Sequence, residues 1–408
     1  MSKRIVVIGA GFAGMWSALA AARLLDRVGR AEVEIALVAP EPELHVRPRL
    51  YEQNPQGMKA PLQEIFEATG VRFIQGLVDH IDVANQEVGI IGPGTVGLTA
   101  DRWRRNIGYD RLVLAAGSRL YRPQIPGLEE HAFNVDQVAD AAKLDAHIHG
   151  LARRAEGAGR NTVVIAGAGF TGIETAAEMP ARLRGVLGDD AAVKVIMVER
   201  NAEVGPDLGA GPRPVITQAL TELGVTWKLG SGVAAVDARG VTLDSGERIE
   251  ADTVIWTAGA RASELTAQIP AARDDFGRLH VDSYLRVEGV ETVYATGDCA
   301  YAATDDEGNY AMMSCQHAMN LGRTAGHNVA ADLVGEALLP YSQPRYVTCL
   351  DLGPWGAVYT EGWNRQVKMA GAEAKALKTK INTEWIYPPS GDRAAVFALA
   401  DPRRTVVA

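Results

Sequence analysis

The sequence is poor in cysteine and contains no cysteine motif. Its three cysteines, Cys299, Cys315 and Cys349, are far apart and show neither a Cys-x-x-Cys pair nor any paired spacing of metal ligands. This usage is typical of a reducing compartment and gives no support for a zinc site. We expect all three to be small buried hydrophobic residues.

The chain also lacks a long apolar run and an excess of basic charge. No stretch of about eighteen apolar residues is free of charge, and the amino terminus passes from MSKR directly into a predicted strand without a signal-peptide pattern. The 50 acidic and 41 basic residues give a net charge of -9, which offers no broad surface for phosphate backbones. We therefore expect a cytoplasmic protein with no nucleic-acid partner and at most peripheral membrane contact.

The sequence does contain a repeated unit, in which a strand is followed by a glycine-rich turn and a helix. The strand Arg4–Ile8 precedes GAGFAG, a helix and a second strand at Val33–Val38; the strand Thr162–Ala166 precedes GAGFTG, a helix and a strand at Val193–Val198. Each copy closes with a short hydrophobic strand that ends in Ala-Gly, YDRLVLAAGS and ADTVIWTAGA. The repeat predicts an α/β protein with two tandem Rossmann-like nucleotide-binding domains.

The segments between and after these two copies have patterns of their own, which predict further strands and helices. RGVTLDSGERIEADTVIW has the alternation of an antiparallel ribbon. A block after Gly277 reads as strands followed by a long helix from about Gln316 to Leu333, and we expect it to complete the first domain. The last part has strand-like runs, AVYT and AVFALA, and a helical stretch over Ala372–Ile386. The predicted domains are residues 1–118 with 277–338, residues 119–276, and a small α+β cap or dimer module over 339–408.

The glycines of each copy have the spacing of a pyrophosphate-binding loop. The first glycine permits the tight turn, the second lets the backbone approach phosphate, and the third lets helix pack on strand. They are Gly9, Gly11 and Gly14 in the first copy and Gly167, Gly169 and Gly172 in the second. Two such folds in one chain indicate one resident cofactor and one exchanging substrate, held face to face for hydride transfer.

The ends of the second strands distinguish the two copies. Alignment of VEIALVAP with VKVIMVER puts Ala39 opposite Glu199, at the position where an acid usually binds the adenosine ribose. A carboxylate at Glu199 repels a 2′-phosphate and favours NADH over NADPH, although the adjacent Arg200 could accept that phosphate. In the first copy, Glu41, Glu43 or a backbone group could reach the ribose, and both glutamates could equally be solvated surface residues.

TVYATGDCA at Thr292–Ala300, together with the two glycine loops, resembles the flavoprotein reductases that have two dinucleotide-binding domains. The resemblance extends from the amino terminus to the helix ending near Leu333. It implies non-covalent FAD in the first fold, with Asp298 bound to the ribityl chain, and NADH in the second. The implied cofactor-binding residues are Gly9, Gly11, Gly14, Arg47, Ala116, Gly117, Gly297, Asp298 and Gln316 for FAD, and Gly167, Gly169, Gly172, Glu199 and Gly259 for NADH.

The positions of the cysteines and four short motifs select a branch of this superfamily. The absence of any cysteine before Cys299 excludes disulfide exchange of the glutathione-reductase type and argues against sulfide chemistry. Ferredoxin reductases usually carry RPxLSK, and this chain has RPRLYE, with Glu52 in place of the lysine. GAGFTGIE, WTAG and CQHAMN are instead similar to GGGPTGVE, WTAG and AQxAxQ of type II NADH dehydrogenases. Gln316 matches the first glutamine of AQxAxQ, and Asn320 is one methylene shorter than the second.

This resemblance implies an NADH:quinone oxidoreductase in which hydride passes from NADH to flavin N5 and two electrons pass to a quinone. The helix starting near Ser314 would direct its N-terminus at the flavin and stabilise negative charge there by about 0.3 to 2 kcal/mol. Glu174, Gln316 and Asn320 are the candidate catalytic residues. Glu174 could alternatively be a carboxylate favoured near a helix N-terminus. A reductase of a small redox protein and a non-turnover redox-dependent binding module remain open.

The C-terminal helix has two interpretations. Ala374, Leu377, Ile381 and Trp385 form one apolar stripe, surrounded by Lys375, Lys378 and Lys380. A basic amphipathic helix of this kind can lie on anionic lipid. An ordinary helix packed on the flavin domain has the same pattern, and we favour that interpretation. The C-terminal module also makes a homodimer plausible.

Overall fold

The structure is a computed structural model that describes residues 3–92 and 104–404; the parts of the predicted domains at 1–2, 93–103 and 405–408 lie outside the described residues. The strands of the described part are, in chain order, β1 (Arg4–Ile8), β2 (Glu34–Ala39), β3 (Glu43–His45), β4 (Lys59–Pro61), β5 (Arg72–Gln75), β6 (Leu77–Asp82), β7 (Glu87–Ile91), β8 (Arg104–Gly108), β9 (Arg111–Leu114), β10 (Ser118–Leu120), β11 (Thr162–Ala166), β12 (Lys194–Glu199), β13 (Val225–Leu229), β14 (Val233–Asp237), β15 (Gly240–Leu243), β16 (Arg248–Glu250), β17 (Thr253–Trp256), β18 (Ala260–Ala262), β19 (Leu279–His280), β20 (Val293–Ala295), β21 (Ala300–Tyr301), β22 (Val347–Asp351), β23 (Ala357–Glu361) and β24 (Gln366–Gly371).

The α-helices of the same part are α1 (Phe12–Arg27), α2 (Gln63–Thr69), α3 (Leu128–His131), α4 (Val138–Gly150), α5 (Phe170–Leu187), α6 (Arg213–Glu222), α7 (Cys315–Val334), α8 (Ala372–Lys380) and α9 (Arg393–Leu399). The predicted long helix from Gln316 to Leu333 is α7. The predicted helix over Ala372–Ile386 is α8 followed by a π-helical turn, Ile381–Trp385.

Two parallel sheets have the same strand order. The first is β20-β9-β1-β2-β5 and the second is β13-β12-β11-β17. In each sheet the central strand, β1 or β11, has the next strand of its copy, β2 or β12, on one side. The closing strand, β9 or β17, lies on the other side. The central strands β1 and β11 are almost completely buried, as expected for parallel strands covered on both faces. The predicted α/β class with two Rossmann-like folds is confirmed. β20 comes from the block after Gly277, which therefore shares a sheet with the amino-terminal strands.

Two small residues bring α1 and α7 into close contact. A Cβ atom on Gly322 would lie 2.4 Å from the carbonyl oxygen of Ala13, and one on Gly326 would lie 2.1 Å from that of Ser17. The backbones therefore approach at a distance that only glycine permits. This contact fixes the start of α7 relative to the first glycine loop.

Antiparallel elements complete the fold. The predicted ribbon is the sheet β14-β15-β16, and a second ribbon is β6-β7-β8. In the C-terminal module, β22-β23-β24 form an antiparallel sheet, and α8 packs on it through a small core that includes Cys349, Tyr359 and Ala374.

One sequence prediction in the C-terminal module was wrong. AVFALA, expected as a strand, lies in α9. The Asp392 side chain accepts a hydrogen bond from the Ala395 amide at 2.9 Å and so caps the helix, whose Val396 and Phe397 are buried. A run of six mostly apolar residues fits a buried helix as well as a strand, and the cap decides between them.

We predict opposite effects for two glycine-to-alanine substitutions in helices. Gly326→Ala forces α1 and α7 apart and should destabilise the protein by about 1 to 3 kcal/mol. Gly185→Ala places its Cβ where no atom lies within 4 Å, on an exposed part of α5, and should stabilise by up to about 1 kcal/mol. Thermal unfolding of both variants measures the difference, and equal melting temperatures would contradict the packing described above.

Candidate active site

The first glycine loop has the geometry expected of a pyrophosphate cradle. Gly9 has φ +106°, and a Cβ there would lie 2.4 Å from the carbonyl oxygen of Ala115. A Cβ on Gly14 would lie 1.9 Å from the carbonyl oxygen of Gly9, whereas one on Gly11 meets no atom within 4 Å. The first and third glycines are therefore required by packing, and the second faces open space where a ligand can approach the backbone.

The second loop repeats this pattern. Gly167 has φ +110°, a Cβ on Gly172 would lie 2.0 Å from the carbonyl oxygen of Gly167, and one on Gly169 meets no atom within 4 Å. Helices α1 and α5 begin directly after Gly11 and Gly169, and in neither does a side chain of the described residues cap the N-terminus. Both helices thus present free backbone N–H groups and a positive dipole end, which suit an anionic ligand.

The residues predicted for the ribityl side of the first fold lie together. Ser118 Oγ donates to Asp298 Oδ2 at 2.6 Å, and Arg47 Nη1 lies 3.8 Å from the same oxygen. Arg47 also pairs with Asp136, which connects the first fold to the segment before α4. Gly297, next to Asp298, has φ +59°, and a Cβ there would lie 2.7 Å from the Ala13 side chain. Ala116 and Gly117 follow β9 at the same edge, and Gly117 has φ +68°.

Unpartnered buried polar atoms test whether these residues fit FAD. Thr296 Oγ1 and Gln316 Oε1 are buried and have no hydrogen-bond partner among the described residues. Thr296 directly precedes the Gly297–Cys299 turn, and Gln316 lies in the first turn of α7, which packs on that turn. A buried polar atom without a partner is costly, so a polar ligand along this edge is favoured. The open second glycine, the Asp298 cluster and these orphaned atoms together fit FAD.

Asn320 is placed differently from Gln316. The α7 N-cap is Ser314, whose hydroxyl oxygen accepts from the His317 amide at 3.4 Å. Asn320, one turn further along, has its Oδ1 occupied by Arg323 Nη1 at 3.2 Å. Arg323 is itself fixed over the Trp16 ring and donates to the Leu399 carbonyl at 2.9 Å. Gln316 therefore has a free acceptor atom, and the Asn320 amide oxygen is engaged.

Glu199 is fixed at the carboxyl end of β12, beside the second glycine loop. Its Oε2 accepts from the Ala168 amide at 2.9 Å, and its Oε1 accepts from the amide and the side chain of Asn201 at 2.9 and 2.6 Å. Arg200 is exposed. Gly259, at the closing strand, has φ +81° and lies under the Tyr121 side chain.

The corresponding end of β2 carries no such acid. Ala39 is buried, and the two glutamates considered as substitutes are at the surface. Glu43 is ion-paired with Lys59 at 2.8 Å, and Glu41 lies 3.7 Å from His45.

Glu174, the remaining candidate, forms a buried ion pair. Its Oε1 accepts from Lys378 Nζ at 2.8 Å and from the Asp351 amide at 3.0 Å, and Lys378 Nζ also donates to the Cys349 carbonyl at 3.0 Å. Glu174 and Lys378 are 4% and 5% exposed. The pair joins α5, which begins at the second glycine loop, to β22 and α8 of the C-terminal module.

Lys378 was missed as a site residue by the sequence reasoning, which placed it on a basic outer face. Glu52, which stands in place of a lysine in RPRLYE, accepts from Arg49 at 2.9 and 2.7 Å. The buried residues of the C-terminal helix and its last turn are Ala374, Lys378 and Asn382, which are spaced by four, but this face becomes visible only in the structure.

Comparison with known proteins identifies the family. Residues 3–322 match the family described as pyridine nucleotide-disulphide oxidoreductase. The chain belongs to this family. The resemblance to flavoprotein reductases with two dinucleotide folds is thereby confirmed.

Relatives in this family span the whole chain. The chain is 47% identical over 405 residues to an NADH dehydrogenase-like protein of Mycobacterium tuberculosis, with 98% of each covered. It is 29% identical over 414 residues to a demethylphylloquinone reductase of Synechocystis, with 95% of this chain and 97% of the relative covered. The structure of NDH2 from Plasmodium falciparum in complex with NADH superposes with a TM-score of 0.76 over 98% of both chains, at 13% identity. At that identity the likeness concerns the fold alone.

The cysteines of this family member are not a redox pair. All three are free; Cys299 and Cys349 are buried and Cys315 is half-buried. Burial raises the pKa of the Cys299 and Cys349 thiols to about 12 and that of Cys315 to about 11. These thiols are protonated near neutral pH and are poor nucleophiles.

The Glu174 carboxyl, in contrast, has a pKa near neutrality. Burial raises the pKa of Glu174 to about 7, against the lowering effect of Lys378. Burial opposes the positive charge of Lys378, but the Glu174 carboxylate outweighs it, so the pKa of Lys378 is raised. A carboxyl group with a pKa near 7 can both give and take a proton under physiological conditions.

The lysines of α8 do not form a basic outer face. Lys378 is buried, and Lys375 donates to Asp351 at 2.6 Å. The apolar residues of α8 pack on β22–β24, and Asn382 in the turn that follows donates to Glu52 of the first fold at 3.3 Å, so the packing interpretation fits better than the lipid one. Among the described residues, no helix combines the length and apolar character needed to span a bilayer.

We predict that Lys378→Met destabilises the protein in a pH-dependent way. At about pH 8 the substitution leaves a buried carboxylate without its cation, at a cost of about 3 to 5 kcal/mol. At about pH 5, below the pKa of Glu174, the carboxyl is neutral and the loss should be much smaller. Denaturant unfolding at both pH values measures the difference.

Lys380→Met, at an exposed position of α8, is the control and should have little effect at either pH. The double variant Glu174→Gln, Lys378→Met should recover most of the loss at the higher pH. An equal loss for Lys378→Met at both pH values would contradict the ionic coupling.

Proposed function

We propose that this protein is an FAD-dependent oxidoreductase that takes hydride from NADH and passes two electrons to a quinone. The observation that carries the proposal is the buried Glu174–Lys378 pair, which lies where the helix of the second glycine loop meets the C-terminal module. A buried carboxyl that titrates near pH 7 suits an acceptor whose reduction consumes protons. The relative named as a demethylphylloquinone reductase supports a quinone as that acceptor.

The residues of the first fold would hold FAD. The backbone around Gly11 and the N-terminus of α1 would bind the pyrophosphate, Asp298 and Arg47 the ribityl side, and Gln316 the ring. When bound, FAD supplies the capacity to accept hydride from NADH and to return two electrons to an acceptor.

The residues of the second fold would hold NADH. The backbone around Gly169 would bind its pyrophosphate, and Glu199 would accept from the ribose hydroxyls. Because two N–H groups of Asn201 and one of Ala168 fix the Glu199 carboxylate, a 2′-phosphate would meet negative charge there. This arrangement favours NADH over NADPH.

Glu174 would supply a proton to the reduced acceptor. The overall reaction, NADH + H⁺ + quinone → NAD⁺ + hydroquinone, requires one proton beyond the hydride. Protonated Glu174 would donate it, and Lys378 would stabilise the carboxylate that remains. Gln316 and Asn320 stay predicted residues of the acceptor site; Asn320 would have to release Arg323 to contact the acceptor.

We predict that the purified protein is yellow, that NADH bleaches it without oxygen, and that a small quinone then restores the absorbance rapidly. Stopped-flow absorbance measures both steps. NADPH should react more slowly because Glu199 disfavours its phosphate. A long-lived charge-transfer band that quinone does not remove would indicate a binding module instead, and a protein without flavin would contradict the proposal.

We predict that Glu174→Gln slows quinone-dependent turnover by about tenfold or more without unfolding the protein. In the wild type, the rate should fall as the pH rises through about 7, because the carboxyl loses its proton. The glutamine variant should lack this fall. Rates between about pH 5 and about pH 9 test it, and unchanged kinetics would remove Glu174 from the mechanism.

A further inference from the structure

The first turn of α7 lies against the part of the first fold that fits FAD. A Cβ on Gly297, in the Asp298 turn, would lie 2.7 Å from the Ala13 side chain and 3.7 Å from the Ala318 side chain. The starts of α1 and α7 therefore meet at this turn. Helix α7 has 20 residues and no acidic residue in its first turn, so its positive dipole end is not neutralised from within the helix.

The cap of α7 differs from the usual capping box in one residue. In the usual form a serine or threonine caps the helix, and a glutamate or glutamine three residues later reaches back to the backbone of the cap. Here Ser314 is the cap, and His317 stands three residues later. His317 Nδ1 accepts from the Met312 amide at 3.2 Å and lies 3.1 Å from Ser314 Oγ. An imidazole thus takes the place of the carboxylate.

These contacts determine the tautomer and the charge of the imidazole. A backbone amide can only donate, so Nδ1 carries no proton, and the proton of the neutral ring is on Nε2. A protonated ring would place an N–H group on Nδ1 against the Met312 N–H. Burial, and to a smaller degree the Arg278 guanidinium, lowers the pKa of His317 to about 4. Arg278 Nη1 donates at 2.7 Å to the carbonyl of Ala311, the residue before Met312. The ring is therefore neutral at physiological pH.

The C-terminal module supports the imidazole. His317 is fully buried, and its ring stacks on those of Tyr346 and Trp363 at centroid distances of 5.2 and 6.0 Å. The Tyr346 and Trp363 rings stack on each other at 4.5 Å, and the Gly362 amide donates to the Tyr346 carbonyl at 2.8 Å. Two aromatic residues of the C-terminal module therefore hold a side chain of the first fold.

Two polar atoms in the first turn of α7 lack a partner among the described residues. They are His317 Nε2 and Gln316 Oε1, and both are buried. A buried polar atom without a hydrogen bond is costly, so a polar ligand beside this turn is favoured. This observation is independent of the helix dipole and supports the same ligand position.

We propose that His317 is a positioning residue of the flavin site, whose neutral imidazole holds the first turn of α7 without adding a negative charge there. The inference rests on the proposed function, because it concerns bound FAD. A positive dipole end stabilises the negative charge that FAD gains on reduction. A glutamate at position 317 would complete the usual capping box but would oppose that stabilisation. The imidazole keeps the hydrogen bonds and leaves the dipole end unopposed.

The midpoint potential of bound FAD tests this role. The holoprotein is titrated without oxygen against a dye of known potential, at about pH 8 to favour ionised carboxyl groups. His317→Glu should weaken the binding of reduced FAD relative to oxidised FAD by about tenfold, which lowers the potential by about 30 mV. His317→Gln is uncharged and retains an acceptor for the Met312 amide, so this ratio should stay within about twofold of the wild type.

Ser314 offers a second pair of variants, which keeps the inference testable if glutamate at the buried position 317 prevents folding. Aspartate and asparagine cap helices about as well as serine does. Ser314→Asp adds a carboxylate at the same helix end, at a half-buried position, and should also lower the potential. Ser314→Asn is the matched uncharged control and should leave the potential at the wild-type value.

The tautomer can be measured without any change of charge. In nitrogen NMR spectra of holoprotein labelled in its histidines, His317 should show a protonated Nε2 and an unprotonated Nδ1 at about pH 7. Its signals are assigned among those of the eight histidines by their loss in His317→Gln.

Three results would overturn the inference. The first is an unchanged potential in both His317→Glu and Ser314→Asp. The second is a potential in His317→Gln as low as in His317→Glu, because the native imidazole would then carry a positive charge. The third is a protonated Nδ1 in the wild type.

The two proposals fail separately, because neither measurement uses an electron acceptor. Protein that binds FAD and is not reoxidised by quinone overturns the proposed acceptor, and the potentials and the tautomer still test His317. Protein that turns over with quinone, with wild-type potentials in all four variants, overturns the role of His317 and leaves the proposed function intact.

Discussion

The buried ion pair between Glu174 and Lys378 is the constraint on which the arrangement of this protein depends. A carboxylate and an ammonium group both removed from water are stable only while each has the other, and here they come from different parts of the fold. The pair holds the C-terminal sheet against the helix that starts at the second glycine loop. It therefore fixes the C-terminal module beside the start of α5, in surroundings whose burial raises the pKa of Glu174.

The two glycine loops set the geometry on either side of this pair. In both, the first and third glycines satisfy packing between helix and strand, and the second leaves room for a ligand. The difference between the copies lies one strand further on, at Ala39 and Glu199. Nearly identical backbones thus differ in one side chain at the end of the second strand, the buried Glu199 of β12 against Ala39 of β2.

Features encoded by neighbouring residues could be predicted from the sequence. Short sequence patterns, each confined to a few neighbouring residues, predict the repeat, the two sheets, the α7 boundaries and the Asp298 turn. Lys378 could not be assigned to the site, because its partner is 204 residues away and no local pattern distinguishes a buried lysine from an exposed one. The strand prediction for AVFALA was wrong for another reason. Its apolar run fits a strand or a helix, and Asp392, the cap that decides between them, lies outside the run.

The distance between the partners also has a consequence for synthesis. A ribosome completes α5 long before it reaches α8, so a nascent chain that ends between these two helices has Glu174 and lacks its cation. Until the last module emerges, that carboxyl must stay solvated or neutral. The two nucleotide-binding folds are thus synthesised before the cation of the buried pair, and a chain that stops before Lys378 lacks the pair.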